Sequence, residues 1–135
     1  MSKRIESEKV MINNNSEKIF NFIGNFDHFS VLLPDKVINW QSTGDSCSFE
    51  VKGLATLGLR ITEKVPFSHI SMMGEGKLPF NFTLETVIHE TASEQSEVQL
   101  FINSDMSQFI AIMAANPLKE FIDVLVNKLK LEMEK

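Results

Sequence analysis

The feature that most constrains how this chain can fold is an alternation of apolar and polar residues between positions 38 and 102. Apolar side chains recur at every second position in several successive runs, as in Leu57, Leu59 and Ile61, with glycine and arginine between them. A period of two is the spacing of side chains on one face of a β-strand. The middle of the chain therefore predicts consecutive antiparallel strands, each with one apolar face.

A glycine-aspartate pair at positions 44–45 predicts a tight hairpin, because glycine tolerates the positive φ that two-residue turns require. Folding the chain about this pair places Trp40 opposite Phe49 and Ile38 opposite Val51, so that one face of the hairpin is apolar. Later strands are predicted around three further alternating groups: Ile70 and Met72; Phe80, Phe82, Leu84 and Ile88; Val98, Leu100 and Ile102.

Near the C-terminus the apolar spacing changes to three and four, which predicts a long helix with a broad apolar stripe. Such a helix can cover the apolar face of the sheet. Pro117 leaves two interpretations open: a helix from Pro117 to about Glu132 capped by Asn116, or a longer helix with a kinked first part over 106–115. The stripe consists of Phe109, Ile112, Met113, Leu118, Phe121, Ile122, Leu125 and Leu129.

The N-terminal third is predicted to hold one strand and two short helices. The strand covers 4–12, and either Asn14 or Ser16 can cap the helix that follows by accepting backbone N–H bonds. Apolar residues over 26–33 indicate a second helix, which Pro34 closes.

This order of elements resembles the START-like superfamily, also called SRPBCC, which includes polyketide cyclases, pollen-allergen-type carriers and lipid-transfer domains. The resemblance covers the whole chain and depends on four segments, at 5–10, 16–23, 40–54 and 117–121. It rests on element order and apolar positions, because the family has no universal catalytic motif.

The resemblance implies an α+β helix-grip fold for a single domain over 1–135. A curved antiparallel sheet of about seven strands, in the order β-α-α-β6-α, would wrap around the long C-terminal helix and leave an elongated cavity. Composition alone favours a filled core over a cavity; eleven phenylalanines and seven methionines would supply either. The residues predicted to line the cavity are Phe26, Phe29, Trp40, Phe49, Leu57, Leu59, Met72, Phe80, Phe82, Leu84, Phe109, Met113 and Phe121.

The sequence offers little for catalysis, and we assign no catalytic residue, metal ligand or cofactor. It has no tyrosine, one cysteine and three histidines that are far apart, whereas a zinc site needs three or four ligands. An enzyme of the cyclase or dehydratase type stays an alternative, with Asp27, His28 or Cys47 acting at the cavity mouth. Thr86 and Ser42 could each offer a hydroxyl to a ligand.

The expected partner is an apolar small molecule or lipid. A net charge of −5, with seven acidic against two basic residues between positions 63 and 105, argues against nucleic acid and anionic membrane surfaces. The polar N-terminus, the single cysteine and the lack of a long apolar run predict a cytoplasmic protein without membrane insertion. Phe101 and Met73, apolar residues on the outward face, leave a protein-interaction module or a homodimer contact as a further hypothesis.

Overall fold

The computed structural model describes residues 3–52, 55–76 and 81–135. Within these ranges eight strands form one antiparallel sheet in the order β1-β8-β7-β6-β5-β4-β3, and β2 also pairs with β8. The elements are β1 (Lys3–Glu6), β2 (Val10–Ile12), α1 (Ser16–Ile23), a 3₁₀ helix (Phe26–Leu32), β3 (Val37–Ser42), β4 (Ser46–Val51), β5 (Ala55–Val65), β6 (His69–Gly76), β7 (Phe82–Ala92), β8 (Gln95–Ser104) and α2 (Gln108–Met133).

The predicted helix-grip α+β architecture is confirmed, with the first predicted strand divided into β1 and β2. The division falls at Ser7, whose backbone N–H donates to the Leu100 carbonyl at 2.9 Å. The Leu100 N–H then donates to the Ser7 hydroxyl, also at 2.9 Å, where a strand would offer a carbonyl. A side chain therefore replaces one rung of the backbone ladder and interrupts the strand.

The cap of α1 is Asn15, which corrects the expectation of Asn14 or Ser16. The Asn15 side chain accepts a hydrogen bond from the Lys18 N–H at 2.9 Å. Both predicted caps are engaged elsewhere: Asn14 donates from its side chain to the Met133 carbonyl at 2.8 Å, and the Ser16 hydroxyl donates to Glu90 at 3.0 Å. Because these bonds reach distant parts of the fold, local spacing could not identify the cap.

The β3–β4 hairpin follows the predicted register next to its turn, where Ser42 pairs with Cys47. The register then shifts by one residue, so that Ile38 pairs with Glu50 and not with Val51. The shift occurs at Asn39, whose φ of 56° is the left-handed conformation that asparagine tolerates better than most residues. The bulge bends the edge of the sheet and corrects the predicted pairing.

Helix α2 is continuous from Gln108 and contains Pro117 in its interior, so the interpretation with a cap at Asn116 is wrong. Its cap is Ser107, whose side chain accepts from the Ile110 N–H at 3.3 Å. The stretch before Pro117 belongs to the same helix, as the other interpretation proposed. No helix in the described ranges is long and apolar enough to cross a membrane.

The first turns of α2 pack through alanine and not through the large apolar residues. Ala111 is buried, whereas Phe109 and Met113 are 73% and 68% exposed. Successive residues of a helix are 100° apart, so positions two before and two after Ala111 lie on nearly the opposite side. The expectation that Phe109 and Met113 face the sheet is therefore corrected. Further along, the buried positions of α2 are Ile122, Leu125, Val126 and Leu129.

Candidate functional site

A cavity of about 350 Å³ lies between the concave face of the sheet and the middle of α2. The described sheet residues that line it are all apolar, and those of α2 are mainly apolar. The segment between the 3₁₀ helix and β3 forms the remaining side. The lining residues are Val37, Phe49, Val51, Leu57, Leu59, Phe82, Leu84 and Ile102 from the sheet, Pro117, Leu118, Glu120, Phe121 and Val124 from α2, and Pro34, Asp35 and Lys36 from the segment before β3.

The charged lining residues Asp35, Lys36 and Glu120 are all exposed to solvent, so they mark the mouth of the cavity. Lys128 joins α2 to the residue before Pro34, since its Nζ donates to the Leu33 carbonyl at 2.8 Å. The inner wall consists of uncharged side chains. The described lining residues thus form an apolar interior with charged side chains at its rim.

An aromatic cluster closes the space beside the cavity. Trp40 stacks on Phe49 with ring centroids 5.5 Å apart, and Phe49 lies nearly parallel to Phe121 at 6.5 Å. Behind Trp40, the rings of Phe26 and Phe29 lie at 6.2 and 6.1 Å from it. Phe26 and Phe29 are 0% and 2% exposed, so this part of the interior is filled with side chains.

The structure brings some of the predicted cavity residues together and separates others. Those that line the cavity are Phe49, Leu57, Leu59, Phe82, Leu84 and Phe121. Phe26, Phe29, Trp40 and Met72 belong to the packed core or lie against it, and Phe109 and Met113 are exposed. Phe80 lies outside the described residues.

Several lining residues were missed by the sequence reasoning. Val51 and Ile102 carried a usable signal, because both occupy apolar positions in the strand alternation. Pro34 carried none, since it lies in a connecting segment without periodicity, and Val37 begins β3 beyond the Asn39 bulge, which shifts the alternation by one residue. Val124 is on α2 but outside the stripe that spacing had selected.

The residues considered for catalysis are not among those that line the cavity in the described structure. The carboxylate of Asp27 accepts a hydrogen bond from the Ser42 hydroxyl at 2.7 Å, away from the apolar wall. His28 is exposed and stacks on Phe22 with centroids 5.2 Å apart. Cys47 is buried, and burial raises the pKa of its thiol to about 12. Such a thiol is protonated at neutral pH and is a poor nucleophile.

The described ranges contain no group of three or more histidine, cysteine, aspartate or glutamate side chains placed to hold a metal ion. His69 lies between two carboxylates, with Nε2 2.9 Å from Glu85 Oε1 and Nδ1 3.8 Å from Glu63 Oε1. It alternates with the buried Ile70 and therefore faces away from the cavity. His89 is exposed.

The outward face holds the two apolar residues noted for partner binding. Phe101 is only 7% exposed, because the Arg4 guanidinium lies over its ring at 4.1 Å from the centroid. Met73 is 44% exposed. The protein-interaction module and the homodimer stay predictions.

The fold is shared with solved structures across nearly the full length of the chain. Norcoclaurine synthase from Thalictrum flavum matches 100% of this chain over 96% of its own, with 11% identity and a TM-score of 0.77. A START superfamily protein from Mycobacterium smegmatis matches over 97% of both chains, with 12% identity and a TM-score of 0.72. The Aha1 dimer structure from Colwellia psychrerythraea matches over 98% and 96%, with 17% identity and a TM-score of 0.66.

These likenesses show that the chain has the helix-grip fold of START-like proteins. No protein-family model and no curated protein sequence matches the chain.

Proposed function

We propose that this chain binds a compact apolar small molecule, or the apolar part of a lipid, and acts as a carrier or sensor of it. The observation that carries the proposal is that, among the described residues, the inner wall of the cavity is apolar and the charged lining groups lie at the mouth. An apolar cavity with a few polar groups at its edge is the usual form of a small-molecule site.

The volume of the cavity limits what it can hold. About 350 Å³ is near the lower end of the range of roughly 300 to 1,000 Å³ for small-molecule sites. A ligand that buries about 200 Å² of apolar surface would gain about 5 kcal/mol before the costs of association. The proposal therefore favours a compact molecule over a long-chain lipid enclosed along its whole length.

The fold comparison supports this proposal at the level of class. One structural neighbour is named as a START superfamily protein and another as an enzyme, norcoclaurine synthase. We prefer binding to catalysis for this chain because Asp27, His28 and Cys47 are not among the residues that line its cavity.

The proposal can be tested with the neutral fluorescent probe N-phenyl-1-naphthylamine and a matched pair of variants on β5. Leu57 lines the cavity, so Leu57→Phe places extra volume inside it. Val65 is on the same strand but 43% exposed, so Val65→Phe makes a comparable change outside the cavity. We expect saturable probe binding to the unaltered chain, weaker binding to Leu57→Phe, and unchanged binding to Val65→Phe.

Solvent extraction and native mass spectrometry of the purified protein provide a second measurement, with a co-purified apolar compound as the expected result. The absence of saturable probe binding, or equal weakening by both phenylalanine variants, would show that the cavity is not a binding site.

A further inference from the structure

Two side-chain hydroxyls in the described part of the chain are buried without a hydrogen-bond partner: Thr86 Oγ1 and Ser104 Oγ. Thr86 is 1% exposed and Ser104 is 5% exposed. An unpaired buried hydroxyl costs on the order of 1 to 3 kcal/mol, so such groups are rare in folded proteins and call for a physical explanation. Both lie on the concave face of the sheet, in β7 and β8.

Ser104 lies directly beside the cavity wall. It pairs across the strands with Phe82, and directly opposite residues of an antiparallel pair share a face. It also follows Ile102 by two positions on β8, which places the two side chains on the same face. Phe82 and Ile102 both line the cavity. The cross-strand neighbour of Ser104 on β7 and its neighbour along β8 therefore belong to the site, whereas on its other side Ser104 pairs with Lys3 of β1.

Thr86 lies one step further into the core. Its neighbour along β7, Leu84, lines the cavity, but its cross-strand partners are Ile70 and Leu100, which are 0% and 1% exposed and are not lining residues. Thr86 therefore resembles Ser104 in having a buried, unpaired hydroxyl, but it is surrounded by packed aliphatic side chains. This difference makes it a control for Ser104.

The Phe82 ring lies over Gly74 on β6. A Cβ built on Gly74 would come within 2.2 Å of this ring, so the ring lies across Gly74 on β6, the strand on the opposite side of β7 from Ser104. A larger residue at position 74 would exclude the ring from this place. Gly74 thus leaves room for the Phe82 ring on the β6 side of β7, whereas Ser104 is on the β8 side.

We propose that Ser104 is the polar anchor of the cavity, and that it forms a hydrogen bond with an uncharged hydroxyl or carbonyl group on an otherwise apolar ligand. This inference rests on the proposed binding function. The group is uncharged because the described lining residues of the inner wall offer no opposite charge, and an unpaired ion there would lose its hydration. The serine oxygen is covered by neighbouring atoms, so the ligand reaches it through a small side-chain shift.

The test compares two probes that differ by one hydroxyl, naphthalene and 2-naphthol, each measured by displacement of N-phenyl-1-naphthylamine from the full chain. The proteins are the unaltered chain, Ser104→Ala and Thr86→Val, and each variant deletes one unpaired hydroxyl. We expect the preference for 2-naphthol over naphthalene to fall about fivefold in Ser104→Ala, the effect of one ordinary hydrogen bond. Thr86→Val should keep the preference of the unaltered chain.

Unfolding in urea checks that both variants fold, and we expect neither to be less stable, because neither loses a hydrogen bond. If Ser104→Ala binds both probes and keeps the preference for 2-naphthol over naphthalene, Ser104 is not the anchor, and the proposed function still stands. An equal fall of this preference in Ser104→Ala and Thr86→Val would also rule out the anchor, since the effect would then not be specific to Ser104. If neither probe nor dye binds the unaltered chain, the proposed function fails, and the anchor fails with it.

Discussion

Truncation of two adjacent residues on α2 should lower stability by different amounts, because Phe121 borders the cavity and Ile122 lies in the packed core. Ile122 is 0% exposed, and Ile122→Ala removes three carbon atoms worth about 0.8 kcal/mol each and leaves a new void, for a loss of about 3 to 4 kcal/mol. Phe121 is half-buried and already borders the cavity. Phe121→Ala should cost about 2 kcal/mol, from partial burial and its contact with Phe49.

The measurement is urea unfolding followed both by circular dichroism and by the fluorescence of Trp40, which stacks on Phe49. Phe121→Ala should also enlarge the cavity and keep or improve probe binding, whereas Ile122→Ala should lower stability without enlarging the cavity. A loss of stability for Phe121→Ala that equals or exceeds the loss for Ile122→Ala would refute this reasoning. It would mean that the interior around Phe121 is as tightly filled as the core.

Three further predictions concern other parts of the chain. Gly74→Ala should weaken probe binding with a small loss of stability, because the new Cβ would displace the Phe82 ring; probe titration and urea unfolding measure the two effects. Cys47 should react with a thiol reagent at pH 8 only after unfolding, since burial raises its pKa to about 12; rapid labelling of the folded protein would contradict this. Glu90 accepts two hydrogen bonds from Ser16, which lower its pKa from 4.5. Its contribution should be present above pH 4.5 and lost as the pH falls through the lowered value, so the stability difference from Glu90→Gln should disappear in acid.

The sequence was sufficient for the order of the elements and for the inward faces of most strands. Alternation at Leu57, Leu59 and Leu84 is a local property that each strand keeps in the folded sheet. The Asn39 bulge was not predictable in this way, because a positive φ at an asparagine is one of several conformations that its surroundings select. The same limit applied to the α1 cap, where bonds to remote residues decided between neighbouring polar side chains.

The candidate site was predicted less well than the fold, and the first turns of α2 show why. Apolar size suggested that Phe109 and Met113 face inward, but Ala111 faces the core. Small side chains let a helix approach its neighbours closely, and hydrophobicity alone does not reveal which of two apolar faces of a helix the sheet will cover. Only the three-dimensional packing distinguishes the alanine face from the phenylalanine face.

The distribution of side-chain size explains why this interior is filled in one part and open in another. Near Trp40, the rings of Phe26 and Phe29 extend into the space and close it. The floor of the cavity instead carries shorter aliphatic residues such as Leu84 and Ile102. Shorter side chains leave a gap beneath the helix when the surrounding structure relaxes only partially into the missing volume. The gap therefore follows from where the large rings lie: the Phe82 ring lies across Gly74, and Leu84 and Ile102 are too short to fill the space beneath α2.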